Sequence, residues 1–376
     1  MKITFICGSL ESGRDGVGDY TITLAKELKK SGHSISILAL NDHFIQAGAR
    51  YTTGLIASDI AFLRLSSTCS NTERIKVARE WLWDLQPQWL SLQFVPFSFH
   101  KKGLPVFLSR TLRELNLSCK WHIMFHELWV GMPVQASKKH IYWGWMQKQI
   151  IRKMILTLNP NIIHTQCQLY HRQLTRVGRT ARLLPLCSNI PVSESNNQLK
   201  SSDHEGGDHI ASTIRLVLFG TIHPQALLLE FLKQVSAYRN LYGVAFELTL
   251  VGNCGPYQHQ WVSAFKGLEI PVHVFGQQTP ETISHVLSTS TIGVSTSAVA
   301  MIDKSGTVAA MLAHKLPVIC VGDQWQARGI QTIEPIKGIH VLGNDCITAC
   351  MNDRVDVSSK YQVHNTATIF INDLTA

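Results

Sequence analysis

Short β-branched and aromatic runs recur along this chain, and loops or helical patterns separate each from the next. Lys2 to Cys7 is the first, followed by the loop GSLESGRDGVG, a helical pattern through Tyr20, Leu24, Leu28 and Gly32, and then the run SISILAL. Strand, glycine loop, helix, strand is a βαβ unit, whose parallel strands need helices on both faces. WLSLQFV, WHIMFH and NIIHTQ extend the series as strands, with a helix around Trp81 to Leu85 between. From about Asn189 to Thr213 the chain turns polar and loses any periodic apolar face, which predicts a linker over 191–213. A second series follows in IRLVLFG, FELTLVG, VHVFG, TIGVST and LPVICV. The expected fold is therefore α/β with two Rossmann-like domains, 1–190 and 214–350. A tail over 351–376 is expected to form a helix at HNTATIFINDL.

Composition bounds the class. With 376 residues and 45% hydrophobic content, the chain has enough apolar surface for two cores. No stretch reaches the roughly 18 uninterrupted apolar residues of a membrane span, and MKITFICGSL runs into a glycine loop, so a cytoplasmic protein is expected. The nine cysteines are scattered without CxxC or metal-ligand spacing and read as reduced core residues. The formal charge of +9 is concentrated: from Lys101 to Arg182 every charged residue except Glu114 and Glu127 is Lys or Arg. That suits an anionic partner, either a membrane surface or a nucleotide phosphate. Nucleic acid is disfavoured, because the basic stretch holds buried-looking strands and no nucleic-acid motif. Within it, SKKHIYWGWMQKQIIRKMILTL places Trp143, Met146, Ile150, Met154 and Leu158 at helical spacing among Lys138, Lys139, Lys148, Arg152 and Lys153. Such a segment is either a peripheral membrane helix, at the inner membrane surface, or a core helix with a solvated basic face.

Four constellations carry chemistry. GRDGVGD, with Gly16, Gly18 and Asp19, sits at a strand-to-helix junction where backbone N–H groups attract a phosphate or sugar. It lacks the full GxGxxG spacing, no acid is seen closing the next strand for a ribose, and a plain tight turn is the alternative. His126 ends the strand WHIMFH, where open α/β sheets place ligands; Glu127 beside it either orients the ring or is solvated, and Gln93 ends another strand. In LVLFGTIHP, Gly220 and Thr221 can admit a phosphate or sugar, while His223 is a ligand contact or a turn residue. Lys304, Ser305, Gly306 and Thr307 gather a cation, two hydroxyls and a glycine at a helix start, as an anion site or an ordinary N-cap.

The order of these motifs resembles that of the retaining GT-B glycosyltransferases, over nearly the whole chain. DGVGDYTITLAKELKKSGHSISIL is similar to that family's opening glycine loop, helix and turn, MFHELW to its strand ending in an active-site histidine, and SGTVAAMLAHKLPVI to its donor helix and following strand. The resemblance implies parallel sheets facing across a cleft and transfer from a nucleoside diphosphate sugar to a carbohydrate, lipid-linked or small-molecule acceptor, without metal or other cofactor. It implies that Gly16 and Gly18 line the first domain's site, that His126 lies near the transferred sugar, with Asp19, Gln93 and Glu127 on the acceptor side, and that Ser305, Gly306 and Thr307 meet the diphosphate or ribose. Two departures stand out. The family's paired glutamates fall on Ile302 and Ala310, and its cations after the first strand of the second domain are replaced by GTIHPQALLL, which leaves Lys304 to neutralise phosphate. A nucleotide-sugar binding protein without turnover, or an epimerase or hydrolase of sugar nucleotides, is the alternative.

Overall fold

The computed structural model describes residues 1–46, 48–56, 59–115, 118–192, 213–330, 334–353 and 356–376. The chain divides into two units. Met1–Leu184, Ala327–Ile330 and Thr366–Ala376 form the first; Pro185–Gln326 and Gln331–Asn365, as far as they are described, form the second. Most of the expected linker, 193–212, lies outside the described residues.

In the first unit β1 (Lys2–Cys7) leads through α1 (Gly16–Lys30) to β2 (Ser34–Asp42), then to the hairpin β3 (Tyr51–Ile56) and β4 (Ile60–Ser66) and to α2 (Asn71–Leu85). There follow β5 (Trp89–Phe94), the short α3 (Pro96–Phe99) and α4 (Leu108–Arg113), β6 (Lys120–Phe125), α5 (Lys138–Leu158), β7 (Ile162–Thr165), α6 (Gln168–Arg176) and β8 (Arg182–Leu183). The strands lie in the order β3, β4, β2, β1, β5, β6, β7, β8, parallel apart from the β3–β4 hairpin. Local sequence sets the helix limits. Asp15 caps α1, Ser70 and Glu73 form a reciprocal capping box on α2, and α5 runs from its Ser137 cap to Asn159 in the left-handed conformation.

The second unit contains β9 (Ile214–Phe219), α7 (Leu228–Tyr242), β10 (Phe246–Val251), α8 (Gln258–Lys266), β11 (Val272–Gly276), α9 (Pro280–Thr289) and β12 (Ile292–Ser295). A 3-10 turn, Val299–Lys304, precedes α10 (Gly306–Ala313), β13 (Val318–Cys320), β14 (Ile339–Val341) and α11 (Cys346–Met351). Its parallel sheet has the order β11, β10, β9, β12, β13, β14. The period of two along β9 sends Leu216 and Leu218 into one core with Phe231, Trp261 and Phe265, and Val217 into another with Met311, Leu312 and Val318. Both faces are thus covered, as a parallel sheet requires.

The expected C-terminal helix forms as α12 (Val363–Thr375). From Thr366 onward it belongs to the first unit, with Ala367, Phe370 and Leu374 buried, because this apolar stripe has a sheet face to cover. Phe370 stacks on Phe5 and meets the rings of His122 and His164. All nine cysteines are unpaired; Cys69 and Cys119 are only half-buried, unlike the core positions expected for them, and the rest are buried. Among the described residues no helix is long and apolar enough to cross a membrane.

Candidate functional sites in the two units

In each sheet the direction of strand crossover reverses once, beside β1, which lies between β2 and β5, and beside β9, which lies between β10 and β12. The carboxyl ends of strands at such reversals are where open parallel sheets bind ligands. Most of the candidates fall at these ends.

In the first unit His126 directly follows β6, and its backbone N–H donates to the Phe94 carbonyl at 3.1 Å, which continues the ladder onto β5. The ring is 6% exposed and its Nε2 lies 2.9 Å from Oε1 of Gln93, which is 1% exposed. Tyr20 of α1 meets the imidazole edge-on, with ring centroids 5.0 Å apart. Gln93 and His126 are therefore one assembly, and α1 packs its second turn against it. It is Gln93, from the neighbouring strand, that bonds Nε2 of the ring, while Glu127, half-buried, turns its backbone N–H towards the Phe94 carbonyl at 3.4 Å.

The glycine loop departs from its expected role. Asp15 accepts the Val17 and Gly18 N–H groups at 3.0 and 3.2 Å, and the Ser9 hydroxyl donates to its other oxygen at 2.6 Å. Asp19 accepts the Gly13 N–H. The backbone donors on which a bound anion would depend are held by the chain's own carboxylates. Burial, with the charge of Asp15 adding to it, raises the Asp19 carboxyl above its ordinary range against the lowering bond from Gly13. Gly18 serves packing, since a Cβ there would lie 2.8 Å from the Ser9 carbonyl oxygen, whereas Gly16 is exposed with open space around it. An acid does close the next strand: β2 extends past SISILAL to Asp42. That carboxylate is fully buried, paired with Arg64 at 2.7 Å, and accepts the Leu10 and Phe44 N–H groups, so it anchors the loop and is not available to a ribose.

A buried polar row escapes sequence reasoning. Nε2 of Gln93 donates to Oγ of Ser91 at 2.8 Å; that hydroxyl meets Nδ1 of His122 at 2.7 Å; Nε2 of His122 meets Nδ1 of His164 at 3.0 Å; and Nε2 of His164 meets Asp373 at 2.8 Å. Arg182 holds the second carboxylate oxygen of Asp373. His122 and His164 are 0% exposed, and desolvation first of all pushes both below the ordinary imidazole value. The signal available was polar residues sharing one face of otherwise apolar runs, Ser91 and Gln93 two positions apart in one and His122 and His126 four apart in another.

In the second unit three sequence-distant motifs converge. Gly220 directly follows β9 at φ +84°, and a Cβ there would lie 2.8 Å from Cγ2 of Thr307. Ser305 does not cap α10 with its side chain, so the plain N-cap reading fails; its hydroxyl instead meets Ser297 at 3.2 Å and Thr307 at 3.1 Å. Thr221 is exposed, and its carbonyl accepts the Thr296 hydroxyl at 3.1 Å. The Thr296 oxygen in turn accepts the His223 backbone N–H, and His223 itself is exposed. Lys304 closes the 3-10 turn immediately before this cluster, and Gly306 opens α10 with open space where a Cβ would stand. Thr296 and Ser297, which follow the buried β12, join the cluster without having been singled out from sequence. Ile302 and Ala310, on the family's glutamate positions, are 4% and 0% exposed and belong to the core.

The α5 stripe faces inward only in part: Trp143, Met146 and Ile150 are half-buried, and the buried face runs through Gln147, Ile151 and Ile155 instead. Met154 and Leu158 are buried and the Trp143 indole donates to the Lys102 carbonyl, because a helix between two parallel strands must cover their sheet. The exposed side presents Tyr142 and Trp145, stacked 5.8 Å apart, with Arg152, Lys153 and Leu156.

No family model and no curated protein sequence matches this chain. Solved structures do. The chain is similar to HepE of Anabaena in complex with UDP and glucose (TM-score 0.56, 13% identity, 100% of this chain and 99% of that one). It is similar to the catalytic domain of starch synthase IV from Arabidopsis thaliana bound to ADP and acarbose (0.55, 12%, 100% and 99%). It is also similar to UDP-GlcNAc 2-epimerase from Neisseria meningitidis bound to UDP-GlcNAc (0.53, 12%, 100% and 100%). At such identities the likeness bears on architecture, and it agrees with the two parallel sheets: the chain has the GT-B fold, in a divergent sequence.

Proposed function

We propose that the chain is a glycosyltransferase that moves a sugar from a nucleoside diphosphate donor to an acceptor hydroxyl. The observation that carries the reading is the convergence of Gly220, Ser305 and Thr307 at the carboxyl end of β9 and the start of α10. Backbone N–H groups at a helix start, hydroxyl donors and a lysine form a set that receives a diphosphate and stabilises the charge it gains as it departs. Lys304, Ser305, Gly306 and Thr307 have that role, and Gly220 and Thr221 leave room beside them. Gly16, on α1, is retained as an exposed lining position, and Asp19, Gln93 and Glu127 as the acceptor side. His126 contacts the transferred sugar or the acceptor. In the transfer the bond from the anomeric carbon to the diphosphate oxygen breaks with its electron pair on the diphosphate, the acceptor oxygen bonds to that carbon, and the acceptor's hydroxyl proton passes to the departing diphosphate. We propose that this proceeds with retention and with no metal; the anomeric configuration of the product and turnover in the presence of a chelator read these two points.

The likeness to a UDP-GlcNAc 2-epimerase favours one second reading, isomerisation or hydrolysis of the sugar nucleotide. One assay separates them. A transferase releases nucleoside diphosphate only when an acceptor is present, a hydrolase releases it without one, and an epimerase alters the sugar of the donor before any transfer. A thermal-shift panel of sugar nucleotides selects the donor, since a ligand of the folded state stabilises it in proportion to its occupancy.

A further inference from the structure

We propose that Asp373, acting through His164, His122, Ser91 and Gln93, holds His126 as the tautomer protonated on Nε2, with Nδ1 as the lone-pair nitrogen. These are positioning residues for the transfer proposed above, and the inference rests on that reading only for its consequence in turnover. The argument starts at the carboxylate. An ionised carboxylate has lone pairs and no proton to give, and the other oxygen of Asp373 is paired with Arg182. Nε2 of His164, 2.8 Å away, therefore donates. Burial holds both His164 and His122 on the neutral side, so each ring has a single N–H.

Every later link then has one direction. His164 has given its proton to the bond with Asp373, so its Nδ1 accepts from Nε2–H of His122 at 3.0 Å. His122 is left with Nδ1 as acceptor, and the Ser91 hydroxyl donates to it at 2.7 Å. Having given its hydrogen, the Ser91 oxygen accepts from the Gln93 amide N–H at 2.8 Å. That turns the Gln93 carbonyl towards His126, and Nε2 of His126 at 2.9 Å can only donate to it. Reversing the chain requires a proton on both nitrogens of His164, which its burial opposes.

The fold makes this continuous. Ser91 and His122 are register partners on β5 and β6, and Gln93 follows Ser91 on the same face two residues later. α12 closes that face. Phe370 lies 5.0 Å from the His122 ring and 6.2 Å from the His164 ring, and Asp373, three residues along the helix, reaches His164. Hydrogen bonds aligned in one direction polarise one another, so a carboxylate at one end is felt at the ring at the other.

The test uses the full chain with nitrogen-15 in its histidines and long-range proton–nitrogen correlation of the imidazoles, with His126 assigned by the signal lost in His126→Gln. The wild type is expected to show His126 with a pyrrole-type Nε2 and a pyridine-type Nδ1. Asp373→Ala and Ser91→Ala should each convert this to a mixture of tautomers and lower kcat by about tenfold, the worth of one hydrogen bond, with donor KM within about twofold. Asp373→Asn has one carbonyl for two donors; with that oxygen taken by Arg182, its amide N–H faces Nε2 of His164, and the wild-type tautomer should be lost as in Asp373→Ala. Asp373 is 20% exposed at the end of α12, so its variants test the idea even where Ser91→Ala impairs folding. The inference is overturned by a wild-type His126 protonated on Nδ1, or by a tautomer that does not change in folded Asp373→Ala. The stated tautomer without sugar transfer from any donor would support this inference while defeating the glycosyltransferase reading.

Discussion

The two units bury parallel sheets in opposite chemical company. The central strands of the second are largely apolar, with Leu216, Val217, Leu218, Ile292 and Val294 in contact with helices on both faces, and its one buried polar side chain within them, Ser295, stands at the end of β12. The first unit carries Ser91, Gln93, His122 and His164 within the strands themselves, each satisfied by the next. A buried polar group that loses its partner costs about 1 to 3 kcal/mol, so the first arrangement is stable only when complete. Beyond the strands of the second unit, Thr221 is exposed and Ser297, Ser305 and Thr307 are half-buried, so they carry less of that penalty. The comparison places a buried, mutually bonded polar row beside His126 in the first unit and hydroxyls bonded to one another beyond the strands in the second.

The largest expected effect follows directly. His122→Leu places an apolar residue in a sheet core yet leaves Ser91 and His164 without partners, and it should destabilise by on the order of 3 kcal/mol in urea unfolding. A stabilised variant would show that the polar row is incidental. In the second unit, Lys304→Ala should leave unfolding almost unchanged while weakening nucleoside diphosphate binding roughly tenfold to a hundredfold, the worth of one charge-assisted hydrogen bond. Unchanged affinity in calorimetry removes Lys304 from the site.

Acidification should separate the units next. The ring values of His122 and His164 are lowered in the fold, so between those values and the ordinary 6.5 the unfolded chain binds more protons than the folded one. Stability from this source is complete above 6.5 and is lost as pH falls below it. Asp356, in the second unit, is held at about 2 by its bonds to Ser358 and then by Lys315, against an ordinary 3.8. Its contribution is present above 3.8 and disappears as pH falls towards 2. Hydrogen exchange resolved by residue should therefore show β5, β6 and β7 losing protection from about pH 6.5 downward. Simultaneous loss near pH 3 in both units would contradict the assignment.

The smallest effect concerns the exposed side of α5. Tyr142, Trp145 and Leu156 beside Arg152 and Lys153 suit an anionic bilayer, each cation contributing about 1 kcal/mol near its surface. Co-sedimentation with anionic vesicles at low salt, released at high salt, is the expected result, and equal partition onto neutral vesicles would discard it.

Most of the fold was legible because parallel strands buried on both faces read as apolar runs, and because the caps of α1, α2 and α5 are local. Part of the second unit's cluster was legible because Lys304 to Thr307 are contiguous at one helix start, whereas Thr296 and Ser297 join it only through the fold. The first unit's polar row was not legible. Its bonds join residues 31, 42 and 209 positions apart, and Asp373 lies in a helix that sequence assigned to a tail. Local composition likewise suggested an anion site at GRDGVGD, but the occupant is Asp15, from within the motif itself. Asp42 was missed because β2 continues beyond its apolar run.

The central claim is that the first unit acts in the transfer step through His126, while the second holds the donor. His126→Ala tests it most directly, by measuring nucleoside diphosphate affinity and acceptor-dependent turnover on the same preparation. The account predicts turnover reduced by at least about a hundredfold with affinity within about twofold, because interactions made mainly in the transition state appear in kcat. Equal losses in affinity and turnover, or turnover that persists, would contradict it.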